Sequence, residues 1–244
     1  MAEAKGASVK GFEAQARAAL VTSARTLAEA ARRNAAAVAQ AAETLVDCFE
    51  NGGTVFFCGN GGSAADAQHL AAEFSGRYLV DRPGLPAIAL TTNSSALTAI
   101  GNDYGYAEVF ARQIEGLGAP GDVLVAITTS GRSPSIRTAV AAATALGMTV
   151  IGMTGARGGE FAALCDIALI TPSEVTPNIQ EGHIAMGHAF CLLVERALFP
   201  PPAARAKPAK AGAKPVGKAA KAKRPPASVA RKPARQRPGA RTAR

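Results

Sequence analysis

Five short apolar runs, each followed by small polar residues and then a helical stretch, constrain this chain more than anything else in it. The runs are TVFFC (54–58), PAIALT (86–91), DVLVAIT (122–128), MTVIGMT (148–154) and DIALIT (166–171), with helical stretches at 64–76, 94–101, 134–146 and 158–164. A half-exposed strand alternates apolar and polar residues, but these runs leave none for a solvent face. They predict an α/β fold in which a parallel sheet is covered by helices on both sides. Ahead of them, LAEAARRNAAAVAQAAETLVDCF has apolar residues at three- and four-residue spacing. It reads as one or two amphipathic helices within about residues 10–50, stopped at Asn51-Gly52-Gly53. A last helix is expected from about Gln180 to Phe199.

After that helix the composition changes. Residues 201–244 open with PPAARAKPAKAGAKPVGKAAKAKRPP and hold 14 of the chain's 27 Lys and Arg, without one Asp or Glu. Two regions follow: a folded domain over 1–200, and an Ala/Pro/Lys/Arg-rich tail over 201–244 that is expected to be disordered because it has little to bury. The formal net charge of +9 belongs to the tail, since residues 1–200 carry 13 basic against 18 acidic side chains. That charge therefore gives no support to nucleic-acid binding by the folded part. The tail is expected to attract polyanions weakly and in a salt-dependent way.

Cys48, Cys58, Cys165 and Cys191 form no C-x-x-C pair, and three of them sit in apolar stretches. This fits buried thiols in a reducing compartment. The N-terminus lacks a signal-peptide pattern and no apolar run reaches about 18 residues, so a cytoplasmic protein without membrane insertion is expected.

Two turns carry the chemistry. CGNGGSAADAQH (58–69) satisfies G-x-G-x-x-A after a strand, as a dinucleotide site would. The acidic residue that holds the ribose about 20 residues on is missing, because the next strand ends ALTTNSS. No Lys-Ser or Lys-Thr follows, which removes the Walker pattern. What remains is a tight turn whose N–H groups and Ser63 face a helix start, suited to an anion or a sugar hydroxyl. The second turn, VAITTSGRSPSI, brings Thr128, Thr129, Ser130 and Ser133 to another helix start, a cradle for a phosphate monoester. Either turn alone is an ordinary strand-to-helix connection. Two at the carboxyl ends of parallel strands point into one crevice and make a phosphorylated polar small molecule the leading ligand. Behind the first turn, His69 and Glu73 share one helix face at i, i+4. Such a pair is commonly a surface pair, but its place behind a phosphate-type turn makes it a candidate for metal binding or proton transfer.

Four stretches, CGNGGSAADAQHLAAEFSGRY, RPGLPAIALTTNSSALTAIGNDYGY, GDVLVAITTSGRSPSI and TPNIQEGHIAMGHAFCLLVE, together resemble the sugar isomerase (SIS) domain family. More narrowly, they resemble the phosphoheptose isomerases, which interconvert sedoheptulose 7-phosphate and glycero-manno-heptose 7-phosphate. The resemblance spans about residues 10–199. It implies a five-stranded parallel sheet in a flavodoxin-like three-layer arrangement, usually assembled as a homotetramer with active sites at subunit contacts. It also implies one zinc ion per subunit on His69, Glu73, Gln180 and His188. Thr128, Thr129, Ser130 and Ser133 would take the phosphate. Asn60, Gly61, Gly62, Ser63, Asp66, Asn102 and Asp103 would line the sugar, with His69, Glu73 and Gln180 at its reacting end.

Moving a carbonyl between C1 and C2 needs a base for the neighbouring proton and an acid for the neighbouring oxygen. Glu73 and His188 are the candidates. His183, one turn beyond Gln180, competes for the metal and is otherwise an orienting or core residue. The alternative reading is a non-catalytic protein of the same fold that binds a replication initiator or senses a sugar phosphate. Such initiator-binding relatives tend to lack the carboxylate of His-x-x-x-Glu and the final histidine, whereas Glu73 and His188 are both present here.

Overall fold

The computed structural model describes residues 9–200, and the expected basic tail lies outside them. Each apolar run contributes a strand: β1 (Val55–Gly59), β2 (Ala87–Ala89), β3 (Val123–Ile127), β4 (Thr149–Gly155) and β5 (Ile167–Thr171). They form one sheet in the order β2-β1-β3-β4-β5, and every pairing is parallel. The helices are α1 (Val9–Glu50), α2 (Gly62–Ser75), α3 (Ser94–Asp103), α4 (Ala111–Leu117), α5 (Pro134–Ala145), α6 (Gly159–Ala162) and α7 (Thr176–Leu198), with a 3-10 turn at Tyr106–Glu108.

The strands bury both faces, as their composition requires. Val55, Phe57, Val125 and Met153 pack with Leu45 of α1, Leu70 and Phe74 of α2, and Phe190 of α7. The alternate residues Phe56, Leu124, Ala126 and Val150 pack with Ile114 of α4 and with Ile136 and Val140 of α5. The period-two alternation of a strand thus feeds two cores, one on each side of the sheet. This is the expected three-layer architecture.

Some boundaries differ from the sequence reading. The N-terminal stretch is one unbroken helix of 42 residues. The last helix begins at Thr176, four residues earlier than expected, with Pro177 in its first turn. Proline is tolerated there because that N–H has no intrahelical partner to lose. The run PAIALT pairs only over Ala87–Ala89, at the sheet edge. Short α4 was not anticipated; ARQIEGL is a single amphipathic stretch of two turns.

Strand β5 is the other edge, and its exposed backbone is met by α1. The Asn34 amide donates to the Ile170 carbonyl and its oxygen accepts from the Ile170 N–H, at 3.0 and 2.9 Å. An asparagine in an alanine-rich helix thereby closes a sheet edge. Among the described residues no helix is long and apolar enough to cross a membrane.

Candidate active site

In this strand order the chain reverses direction across the sheet between β1 and β3, where open α/β folds bind ligands. Both hydroxyl-rich turns sit there. After β1, the chain enters α2 through Gly61 and Gly62. A Cβ at Gly62 would lie 2.1 Å from Nε2 of Gln180, so only glycine lets that α7 side chain reach the turn. After β3, the Thr128 hydroxyl accepts from the Gly131 N–H at 3.3 Å, and Ser130 accepts from Arg132 N–H at 3.2 Å. Between the turns lies a cavity of about 260 Å³, bounded by Ser63, Thr128, Thr129, Ser130, Ser133 and Gln180. Thr176 and Asn60 complete its wall. Its polar groups are hydroxyls and amides, as expected for an anion cradle that works without a lysine.

Asn60 ties the two turns together. Its amide donates to Ser133 and Ser135 at 2.8 and 2.9 Å, and its oxygen accepts from the Tyr106 hydroxyl at 2.8 Å.

Two turns further along α2, that helix and α7 bring His69, Glu73 and His188 together with their ligating atoms all within 4.8 Å of one another. His69 Nε2 is 2.8 Å from His188 Nε2 and 3.3 Å from Glu73 Oε1. The helices approach closely because Gly187 precedes His188; a Cβ there would meet Leu70 Cδ2 at 2.6 Å. His183 is not part of this group. It is fully buried, neither ring nitrogen has a partner, and burial pushes its pKa down to about 4, so it is a neutral core residue.

Asp66, one turn ahead of His69, has one carboxylate oxygen buried without a partner. Burial raises its pKa, and nearby His69 offsets this only in part. Asn102 donates to Asp103 at 2.8 Å on the exposed end of α3, and neither makes a hydrogen bond to the cradle among the described residues. The structure therefore gathers Asn60, Gly62, Ser63, the four hydroxyls and Gln180 at the cavity, and the His–Glu–His group two turns further along α2. Asn102 and Asp103 stay apart. All four cysteines are free thiols, three of them buried, and burial pushes Cys58 up to about 12, which leaves it unreactive.

One supporting structure was not anticipated from the sequence. Glu195, buried on α7, accepts from the backbone N–H groups of Tyr78, Leu79 and Val80 at 2.8–3.1 Å and from Arg82 at 3.0 Å. Arg82, also buried, donates to the carbonyls of Glu73 at 2.7 Å and Phe74 at 2.9 Å. It caps α2 directly beneath Glu73 and links it to the helix that carries His188. Burial alone would raise the Glu195 pKa, but the three N–H groups and the guanidinium outweigh it and hold the carboxyl below its ordinary value.

The fold and its crevice define the class. Residues 20–155 match the family model for the SIS domain. Curated relatives narrow it further. The chain is 56% identical over 164 residues to a phosphoheptose isomerase of Burkholderia pseudomallei, covering 67% of this chain and 83% of the relative. A phosphoheptose isomerase of Rhodospirillum rubrum is 57% identical over 164 residues, with 67% and 87% covered. Among solved structures, phosphoheptose isomerase GmhA of Neisseria gonorrhoeae superposes with a TM-score of 0.72 at 45% identity, over 75% of this chain and 98% of that one. The Francisella tularensis phosphoheptose isomerase gives 0.73 at 40%, over 76% and 98%. The chain belongs to the SIS domain family and, within it, to the phosphoheptose isomerases.

Proposed function

We propose that the protein is an aldose–ketose isomerase that converts sedoheptulose 7-phosphate to D-glycero-D-manno-heptose 7-phosphate, supplying heptose for cell-envelope polysaccharide. The observation that carries this reading is a hydroxyl cradle at the start of α2 and a His–Glu–His group two turns further along the same helix, in a chain from this family. The cradle takes the 7-phosphate. Asn60, Ser63 and Gln180 meet the sugar hydroxyls. The reacting C1–C2 end then lies toward His69, Glu73 and His188.

The donor set suits zinc. Two imidazole nitrogens and one carboxylate oxygen are a set found in catalytic zinc sites, which keep a position open for substrate. With bonds of about 2.0–2.1 Å, ligand atoms of a tetrahedron lie about 3.3 Å apart. The His69–Glu73 spacing of 3.3 Å already matches, and the His69–His188 spacing of 2.8 Å needs to open by about half an ångström. Gln180, the fourth ligand that the family resemblance implies, stands eight residues before His188, about 12 Å of helix rise away. Its bond to the same ion requires the amide to leave Gly62 and extend along α7.

Bound zinc would supply Lewis-acid polarisation of the sugar's carbonyl oxygen. The chain's own residues move the protons. Glu73 removes the proton from the carbon next to the carbonyl, leaving an enediolate. His188, facing from the opposite helix, gives a proton to the carbonyl oxygen and takes one from the hydroxyl on the carbon that Glu73 deprotonated, which becomes the new carbonyl, while Glu73 delivers its proton to the former carbonyl carbon. The cradle holds the non-reacting end throughout.

Purified protein incubated with sedoheptulose 7-phosphate, with and without chelator, tests the reading. Turnover that chelator abolishes and zinc restores is expected. Absence of turnover by zinc-loaded protein would leave the non-catalytic reading standing. In the same preparations His188→Ala is expected to lose most of its bound zinc, whereas His183→Ala retains it. The reverse result would show the ligand set to be misassigned. Ser130→Ala is expected to raise KM severalfold with kcat nearly unchanged, because phosphate is bound alike in ground and transition states. A fall in kcat at constant KM would place Ser130 at the reacting end instead.

Assembly as a homotetramer is part of the proposal. It is supported by an apolar groove of about 330 Å³ between α1 and α7, bounded by Leu27, Ala31, Val38, Ala185, Met186 and Leu193. Leu20 and Phe12, farther along α1, are 72% and 56% exposed. An apolar face of this extent on a long helix is suited to burial against other subunits.

A further inference from the structure

Tyr106 lies outside both turns, in the 3-10 segment that follows α3, and its side chain is largely exposed. Its hydroxyl nevertheless reaches the wall of the cradle, donating to Asn60 Oδ1 at 2.8 Å. A side-chain amide has an acceptor end and a donor end. With the tyrosine on the oxygen, the Asn60 NH2 must face Ser133 and Ser135, and it reaches them at 2.8 and 2.9 Å.

The polarity of the remaining contact follows from burial. Ser135 is 1% exposed, and it already accepts from Asn60. Its own O–H has one acceptor near it among the described residues, Ser133 Oγ at 3.2 Å. Ser133 Oγ then receives two hydrogens, from Asn60 and from Ser135, which fills both its lone pairs. Its own O–H has to point out of the network, and Ser133 bounds the cavity. A phosphate dianion offers only acceptors, so a serine fixed as a donor is what it requires.

We propose that Tyr106 is a positioning residue for the anion cradle: its phenolic hydroxyl, a stronger donor than acceptor, biases the Asn60 amide to keep its oxygen on the tyrosine, so that Ser133 presents a donor, not a lone pair, to the ligand's phosphate. The inference rests on the phosphate-cradle reading above. Without the hydroxyl that bias is lost, and the Asn60 amide more often turns its oxygen toward the serines. Ser133 then spends its hydrogen on Asn60 and shows lone pairs to the phosphate oxygens, which repel it.

The test is Tyr106→Phe, Ser133→Ala and the double variant, compared with the full-length protein. Calorimetric titration with inorganic phosphate and steady-state kinetics with sedoheptulose 7-phosphate are the readouts. Tyr106→Phe is expected to raise the phosphate Kd and the sugar-phosphate KM together by about fivefold, the scale of one hydrogen bond, with kcat within about twofold. The double variant is expected to bind phosphate no more weakly than Ser133→Ala, because both changes remove the same donor. Unchanged affinity in Tyr106→Phe overturns the inference, as do losses that multiply in the double variant or a fall in kcat at constant KM. Wild-type protein that binds phosphate but leaves the sugar unconverted overturns the isomerase reading, while the phosphate titrations still decide the role of Tyr106. Wild-type protein that does not bind phosphate overturns both the cradle and this inference.

Discussion

Glu73→Gln is expected to keep the fold and to lower isomerisation of sedoheptulose 7-phosphate by at least about 10²-fold, the lower end of what a positioned general base contributes. The exchange preserves shape. The backbone of residue 73 is held from below by Arg82, so the amide takes the place of the carboxylate without moving α2. What changes is that an amide cannot accept the proton. It is also a poorer metal ligand, so zinc content and turnover need to be measured on the same preparation. A variant that keeps its zinc and loses turnover places Glu73 as the base. One that loses both places it among the ligands, and excess zinc then restores part of the rate. Near-wild-type turnover with normal zinc would remove Glu73 from the mechanism.

The parts of this site that could be read from sequence are those made by contiguous residues. The five apolar runs gave the strands because a strand buried on both faces has no polar alternation to obscure it. The two turns and the His69–Glu73 pair were legible for the same reason, since each is complete within about a dozen residues. Contacts that bridge distant segments left little trace. Tyr106 meets Asn60 across 46 positions and Glu195 meets Arg82 across 113. Glu195 stands next to Arg196 in LLVERALF, which reads as a solvated pair on a helix surface, yet it is 3% exposed. Its seven-residue spacing from His188 was the available clue, because residues two turns apart share a helix face. The expected start of α7 near Gln180 fell four residues late, because Pro177 stands inside the first turn of the helix and not ahead of it.

Glu195→Ala is expected to cost about 3–5 kcal/mol of unfolding free energy, the scale for breaking a buried ion pair from one side. That is a large share of the about 5–15 kcal/mol by which domains are stable. The value should fall toward the upper end, because the loss leaves a guanidinium whose side chain is 1% exposed without its carboxylate and three N–H groups of residues 78–80 without their acceptor. Urea unfolding measures it as a lower midpoint at constant slope. A second variant separates charge from scaffold. Where a buried ion pair does nothing but pair, replacing both members by apolar residues is often neutral or stabilising. Here Arg82→Met combined with Glu195→Leu is expected to remain well below wild type, since the carbonyls of Glu73 and Phe74 and the loop N–H groups still lose their partners. Acid should act through the same carboxylate. Its folded-state pKa lies below the unfolded value, so its contribution is present above the unfolded pKa and is lost as pH falls through the lower, folded one. The acid limb of the stability profile should therefore flatten in Glu195→Gln, which no longer titrates. If the double apolar variant unfolds at the wild-type midpoint, the clamp is a replaceable ion pair and the spacing of His69, Glu73 and His188 is set by the packing of α2 on α7 alone.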